Sequence, residues 1–382
     1  MPGAARHALA YRLLRALLVW PVELLLRARI TRVPSLPWPA LILPNHTADI
    51  DILVMGIASR KPMYFMAAEQ LFQSPRFGRL LHFLFAPVVK RKGASDAKAV
   101  RDTIKRIRAG HSVCVFPEGN TTFDGVTCPI APAIGGLLLA SGAGLVTYRI
   151  EGGYFTWPRW GHSLRRGKVT GKPVRVLSPE DVRAMMPDQL TRLIRDDLKV
   201  DAYAVNRQEN IRSRGKRLAE GLGNALYLCP ACEQMGTITA TGNKFSCVCG
   251  LNGTYGEDGM LTGTSFDTIK AWSDWQRDVL TTRAHRDPTR AVLQDGGQTL
   301  FLLNAQGERT KSAEGTMRMS AQTLSLGEFS IDVSALGGLD LFRRNTLMFS
   351  TIIGEHYQVG SAKERSGLPY RDLYRALTDK KE

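Results

Sequence analysis

Apolar and polar positions follow three successive regimes along this chain. From residue 40 to about 212, short apolar runs alternate with stretches of helical period. Residues 40–43, 63–67, 86–90, 112–116, 144–150 and 168–172 are runs of strand length. Residues 48–59, 77–85, 96–109 and 131–141 repeat their apolar positions with helical period. This alternation predicts an α/β domain with a mostly parallel sheet and flanking helices. Residues 179–211 read as helical and close that domain. A basic linker follows, with Arg212, Arg214, Lys216 and Arg217 in quick succession. From residue 264 the pattern changes. A helix over 266–280 carries Trp272 and Trp275. Strand-like runs then cover 299–303, 315–319, 323–326, 329–333, 346–351 and 356–359, and a helix over 370–377 ends the chain. That element order predicts a β-rich, pleckstrin-homology-like domain. The expected boundaries are 1–32, 33–212, 213–226, 227–263 and 264–382.

The first segment differs from all of these. Leu13, Leu14, Leu17, Leu18, Leu24 and Leu25 give residues 8–26 an apolar side, and Arg6, Arg12, Arg15, Arg27 and Arg29 rim it. Arg12, Arg15 and Glu23 interrupt the apolar run, and Pro21 is expected to kink it. The reading is an amphipathic helix lying in a membrane interface rather than a span. No cleavage site of a signal peptide is evident. A helix packed on the protein's own core is the plainer alternative.

Composition adds one decisive fact. Hydrophobic residues at 44% and charged residues at 23% suit a folded chain, but the net charge is +16. An anionic partner follows: a membrane surface, a phosphorylated substrate or nucleic acid. Four of six cysteines fall in pairs, Cys229/Cys232 and Cys247/Cys249, each beside a proline or glycine. This is a zinc-ribbon pattern, with four thiolates for one tetrahedral structural zinc, and it suits a reducing compartment. The second pair is CxC where CxxC is usual. The stretch from Cys229 to Cys249 is not conspicuously basic, which argues against nucleic acid.

Two short motifs carry the chemistry. The first is Pro44-Asn45-His46-Thr47-Ala48-Asp49-Ile50-Asp51, between an extended run and a helix. Neutral imidazole is suited to take a proton near pH 7, and a carboxylate in the first helical turn can reach its other nitrogen. That is a base with its orienter, without a neighbouring serine or cysteine nucleophile, so the substrate hydroxyl would attack. Asp49 competes with Asp51 for the orienting role. The second motif is Phe116-Pro117-Glu118-Gly119-Asn120-Thr121-Thr122, after an apolar run. Its loop can turn backbone N–H groups toward a phosphate or an oxyanion. Glu118 either binds the acceptor or caps a turn.

Together, NHTADID and FPEG resemble the glycerolipid acyltransferase family, which includes the lysophosphatidic acid acyltransferases. The resemblance covers about residues 40 to 175. It extends to Met63–Glu69 in part, Phe77-Gly78, Val88-Val89-Lys90-Arg91, and Leu145 through Gly153. It implies His46 as base, Asp51 as orienter, and Arg91, Glu118, Gly119, Asn120 and Thr121 as acceptor-binding residues. It implies an acyl-CoA or acyl carrier protein donor, a lysophospholipid acceptor such as 1-acylglycerol 3-phosphate, and no catalytic metal. It also implies peripheral or monotopic attachment at the cytoplasmic face of a membrane. Two positions depart from the family pattern. The arginine expected after FPEG-Thr is missing, and the fourth block has Thr147 for proline. Arg149, Arg159, Arg165 and Arg166 are the arginines available to replace the lost charge. A different lipid acceptor is one alternative; a non-catalytic docking or nucleic-acid-binding protein built on the ribbon is another. Tyr148, Tyr154, Phe155, Trp157 and Trp160 could line an acyl tunnel, lie at a membrane interface, or pack in the core.

Overall fold

The computed structural model describes residues 3–72, 76–90, 97–304, 307–361 and 365–378. Its first sheet has seven strands: β1 (Arg29–Ile30), β2 (Ala40–Pro44), β3 (Met63–Ala68), β4 (Val88–Lys90), β5 (Ser112–Cys114), β6 (Gly144–Glu151) and β7 (Thr170–Leu177). Their order is β1-β7-β6-β2-β5-β3-β4, and every pairing is parallel except β6 with β7. The central strand β2 is buried along its whole length, which is why its run lacks polar alternation. The mostly parallel α/β sheet is thus as expected.

Helices α1 (Ala4–Leu25), α2 (Asp51–Ala58), α3 (Phe77–Phe85), α4 (Ala97–Arg108) and α5 (Ile134–Ser141) flank this sheet. Residues 179–211 form not one helix but three: Pro179–Arg183, Pro187–Leu198 and Ala202–Glu209. Each begins beside its own start signal. Ser178 caps the first, Pro187 opens the second, and Asp201 accepts N–H bonds from Tyr203 and Ala204 in the third.

Helix α1 runs through Pro21 without a break. It docks through Tyr11, Val22 and Leu26, which belong to one core cluster with Val54, Met55 and Ile57. The Tyr11 hydroxyl donates to the Gly56 carbonyl at 2.9 Å, and Arg15 donates to the Ile57 carbonyl at 3.2 Å. Its opposite side stays outside: Leu13, Leu17, Trp20 and Leu24 are exposed. No described helix is long and apolar enough to cross a membrane.

His7 fixes the start of α1. It is buried and stacks on Tyr64 at 4.0 Å. Burial pulls its pKa from 6.5 down to about 4, helped by the positive neighbours Arg106 and His111. Between those values the unfolded chain takes a proton that the folded chain refuses. Stability is therefore full above about pH 6.5 and falls as pH drops toward 4. Thermal melts at pH 7 and pH 5 should show the loss, and His7→Phe should flatten the slope. An unchanged slope would place the acid sensitivity elsewhere.

Four strands, β8 (Ile238–Thr241), β9 (Lys244–Cys247), β10 (Asn252–Tyr255) and β11 (Leu261–Thr262), form a small antiparallel sheet in the order β11-β10-β9-β8. The helix Ile269–Arg286 follows, longer at its C-terminal end than its pattern suggested. The last sheet is antiparallel. It comprises β12 (Leu293–Leu303), β13 (Arg309–Met319), β14 (Thr323–Leu326), β15 (Phe329–Asp332), β16 (Leu336–Phe342), β17 (Thr346–Thr351) and β18 (His356–Ser361). Its order is β15-β14-β13-β12-β18-β17-β16, and the helix Leu368–Thr378 packs beside β16. A single apolar cluster runs from Phe123, Tyr154 and Trp160 through the ribbon to Trp272 and on to Phe349 and Tyr370. The last third of the chain therefore shares a core with the edge of the first sheet's domain.

Candidate active site

Strands β2 and β5 are neighbours and parallel, so the loops after them leave the same end of the sheet. That is the end where open α/β sheets place their ligands. The loop after β2 carries His46, and the loop after β5 carries Glu118. Both motifs thus meet by topology alone.

Asp51 opens α2 and is fully buried. Its Oδ2 accepts N–H bonds from Thr47 at 2.5 Å and Ala48 at 2.9 Å and faces His46 Nδ1 at 3.1 Å. Its Oδ1 accepts the Thr47 hydroxyl at 3.1 Å. A carboxylate so surrounded can only accept, so the imidazole proton sits on Nδ1 and Nε2 keeps a lone pair. Nε2 has no hydrogen bond to any described serine, cysteine or other residue. The His46 ring stacks on Phe116 with centroids 4.1 Å apart, and its side chain is 18% exposed. Base, orienter and a route to solvent therefore coincide. Asp49 is exposed, outside this arrangement.

Glu118 grips the backbone of the histidine loop. Its Oε1 accepts the His46 N–H at 2.7 Å, and its Oε2 accepts the Cys128 N–H at 2.6 Å. Burial pushes the Glu118 carboxyl well above the usual range, against the pull of these two donors, and the nearby Asp51 adds to the rise. A buried carboxyl so engaged holds two loops in register. Asn45 does the same on the other side. Its amide donates to the Ile150 carbonyl at 2.9 Å, and its oxygen accepts the Ile150 N–H at 2.6 Å. The reading of the sequence gave Asn45 no role; a buried amide flanking a histidine was the available signal.

Gly153 lies against this wall. A Cβ there would meet Thr47 Oγ1 at 2.3 Å and Asp51 Oδ1 at 3.0 Å, so only glycine fits.

The remaining candidates fall in different places. The Gly119 N–H bonds the Phe116 carbonyl at 3.0 Å, closing a turn. Asn120 and Thr121 are buried, and both engage Arg159. Arg91 lies outside the described residues. Its neighbour Lys90 brings Nζ within 3.9 Å of where a Gly119 Cβ would stand, a cation at the loop that the sequence reading passed over. Of the four spare arginines, Arg149 donates to the Asp197 carbonyl and Arg165 to the Leu218 carbonyl. Arg166 is exposed. Tyr148, Tyr154, Phe155 and Trp160 are core, and Trp157 alone of that cluster is exposed.

The four cysteines converge apart from this site, with their sulfurs all within 4.8 Å of one another. Cys229 and Cys249 are 3.7 Å apart, and Cys232 and Cys247 are 3.8 Å apart. Four sulfurs about 2.3 Å from one tetrahedral ion would stand about 3.8 Å from each other. The donor set fits a metal of that kind.

Residues 29–151 match the family described as Acyltransferase, so this segment is an acyltransferase-family domain. Among solved structures, the chain is similar to the 1-acyl-sn-glycerophosphate (LPA) acyltransferase PlsC from Thermotoga maritima. The identity is 19%, the match covers 51% of this chain and 81% of that one, and the TM-score is 0.41.

Proposed function

We propose that the protein is an O-acyltransferase that moves a fatty acyl group from acyl-CoA or acyl carrier protein to the hydroxyl of a lysophospholipid. The favoured acceptor is 1-acylglycerol 3-phosphate, giving phosphatidic acid. The observation that carries the reading is the His46–Asp51 pair, whose Nε2 makes no hydrogen bond to any described residue. His46 takes the hydroxyl proton as the oxygen attacks the thioester carbonyl. The ester C–O bond forms and the C–S bond breaks. The proton passes from His46 to the departing thiolate. Asp51 holds the imidazolium throughout. Lys90 and the net charge of +16 support an acceptor that bears phosphate. Zinc in the four-cysteine site would be structural.

Mass spectrometry of products from a panel of lysolipids, with each acyl donor in turn, tests this. A new ester from a lysophospholipid that disappears in His46→Ala is the expected result. No acyl transfer to any lysolipid would overturn the reading.

The site would work at the cytoplasmic face of a membrane. Helix α1 packs on both α2 and α3, and each of the three leaves large apolar side chains exposed: Leu13, Leu17, Trp20 and Leu24 on α1, Ile52 and Leu53 on α2, Leu80 and Phe83 on α3. Deleting α1 would strip Tyr11 and Val22 from the core, so point changes are the sharper test. Replacing Leu13, Leu17, Trp20 and Leu24 together by Gln should cut binding to phosphatidylglycerol vesicles on the order of a hundredfold or more, because each buried apolar side chain is worth about 1.5–3 kcal/mol. Added salt should weaken binding only in part. Unchanged cosedimentation would place the contact elsewhere.

A further inference from the structure

The loop that follows Glu118 is held from a distance. Arg159 lies after β6, beyond the Gly153 segment that touches Asp51. Its guanidinium is buried and makes four hydrogen bonds. Nη1 donates to Asn120 Oδ1 at 3.2 Å and to the Thr121 carbonyl at 3.0 Å. Nε donates to the Arg343 carbonyl at 2.7 Å, and Nη2 to the Leu341 carbonyl at 3.0 Å. One planar cation therefore bridges the loop of the FPEG motif and strand β16 of the last sheet. Its carbon lies 4.5 Å from the centroid of the Phe123 ring, another residue of the same loop.

A second tie runs in parallel. Asn120 Nδ2 donates to Asp340 Oδ2 at 2.5 Å, and Asp340 Oδ1 accepts the Leu341 N–H at 2.7 Å. A third reaches further along the loop, where Arg277 of the helix Ile269–Arg286 pairs with Asp124 at 2.8 Å. The loop between Glu118 and Cys128 is therefore clamped at Asn120, Thr121 and Asp124, and Glu118 bonds both the backbone of Cys128 and that of His46.

We propose that Arg159 and Asp340 are positioning residues for the acyltransferase site, and that strand β16 sets the place of His46 through Asn120, Thr121 and Glu118. Neither residue touches the reacting atoms. Arg159 holds the loop by a fixed fork of donors, a geometry that lysine cannot reproduce. Asp340 presents a carboxylate to an amide across the two sheets. The Glu118 carboxyl converts loop position into the position of the His46 backbone. On this account the last sheet completes the active site, and the acyltransferase domain alone does not assemble it.

The inference rests on His46 being the base of the proposed reaction, so one arm of its test is independent of activity. Full-length protein labelled with nitrogen-15 histidine reports the ring of His46 by NMR, assigned by its loss in His46→Ala. In Arg159→Met and Asp340→Ala the His46 ring shifts and their titration midpoint should move from the wild type. In the exposed control Arg183→Gln they should not. Arg159→Lys should behave like Arg159→Met, and Asp340→Asn should move the shifts in the same direction as Asp340→Ala, since its one amide oxygen cannot accept from both Asn120 and the Leu341 N–H. If acyl transfer is found, kcat should fall at least tenfold in Arg159→Met and at least threefold in Asp340→Ala, with KM for the acyl donor within twofold. Unmoved His46 signals in both variants would overturn the proposal, whatever happens to the rate. Absence of acyl transfer in the wild type would sink the proposed function, and the NMR arm would still decide this one.

Discussion

His46→Ala lowers acyl transfer at least about a hundredfold, the ordinary scale for losing a general base. The reason is geometric as much as chemical. Nε2 of His46 carries the only lone pair that the Asp51-held imidazole offers, and the other described donors to Asp51 are the Thr47 hydroxyl and the N–H groups of Thr47 and Ala48. Asp51→Asn is expected to cost at least as much, about a thousandfold or more. Asp51 accepts two N–H groups, one hydroxyl and the imidazole. An amide NH2 would face at least one of those donors and force the loop to move. Asp49→Asn, on an exposed residue, should leave the rate within a fewfold. Steady-state rates on folded variants, checked by circular dichroism, settle the matter. Near-normal turnover in His46→Ala would end the mechanism, and a damaging Asp49→Asn would reassign the orienter.

The second large effect lies at the cysteines. Protein prepared without chelator should carry about one zinc per chain, and stripping it should unfold the ribbon, because four-thiolate sites contribute about 10–16 kcal/mol of folding energy in isolated zinc domains. The loss will not stop there. Cys229 and Cys247 lie in the same core cluster as Trp272, and Trp272 Nε1 donates to the Leu228 carbonyl at 2.8 Å. The helix Ile269–Arg286 should loosen with the ribbon, and through Arg277 and Asp124 the site at His46 should respond afterwards. Tryptophan fluorescence and near-ultraviolet dichroism follow the first change, and turnover follows the second. Zinc-free protein with an unchanged spectrum would remove the structural role. Metal analysis that finds none would remove the site.

Two strands of the last sheet were legible residue for residue: Thr323–Leu326 alternates hydroxyl and apolar positions, and Thr346–Thr351 carries the run Leu347-Met348-Phe349. Strand β16 was not, because Gly337-Gly338 splits its apolar positions and imitates a turn; a register shift against β17 falls at that place. Strand β7 was cut short at Pro173. The chain tolerates that proline because β1 covers only Thr170 and Gly171, leaving the rest of that edge without a ladder partner. The candidate site divides in the same way. His46, Asp51 and Glu118 lie in local motifs and could be named from spacing. Asn45, Arg159 and Asp340 act across 105, 184 and 220 positions of chain, and no window of sequence contains both ends of such a contact.

Those separations also set a timetable. Asn120 leaves the ribosome 220 residues before Asp340 is made. At the usual pace of synthesis of about 5–20 residues per second, that is a delay of roughly 10–45 s. During that interval the first sheet can form, since all seven of its strands lie before residue 178, while the loop after Glu118 waits for its clamp. Long-range closure of this kind is the slow part of folding. If the proposed function and membrane site hold, a nascent chain would present its exposed apolar helices to a membrane before the clamp at Asn120 exists, and translation of strand β16 would complete the site.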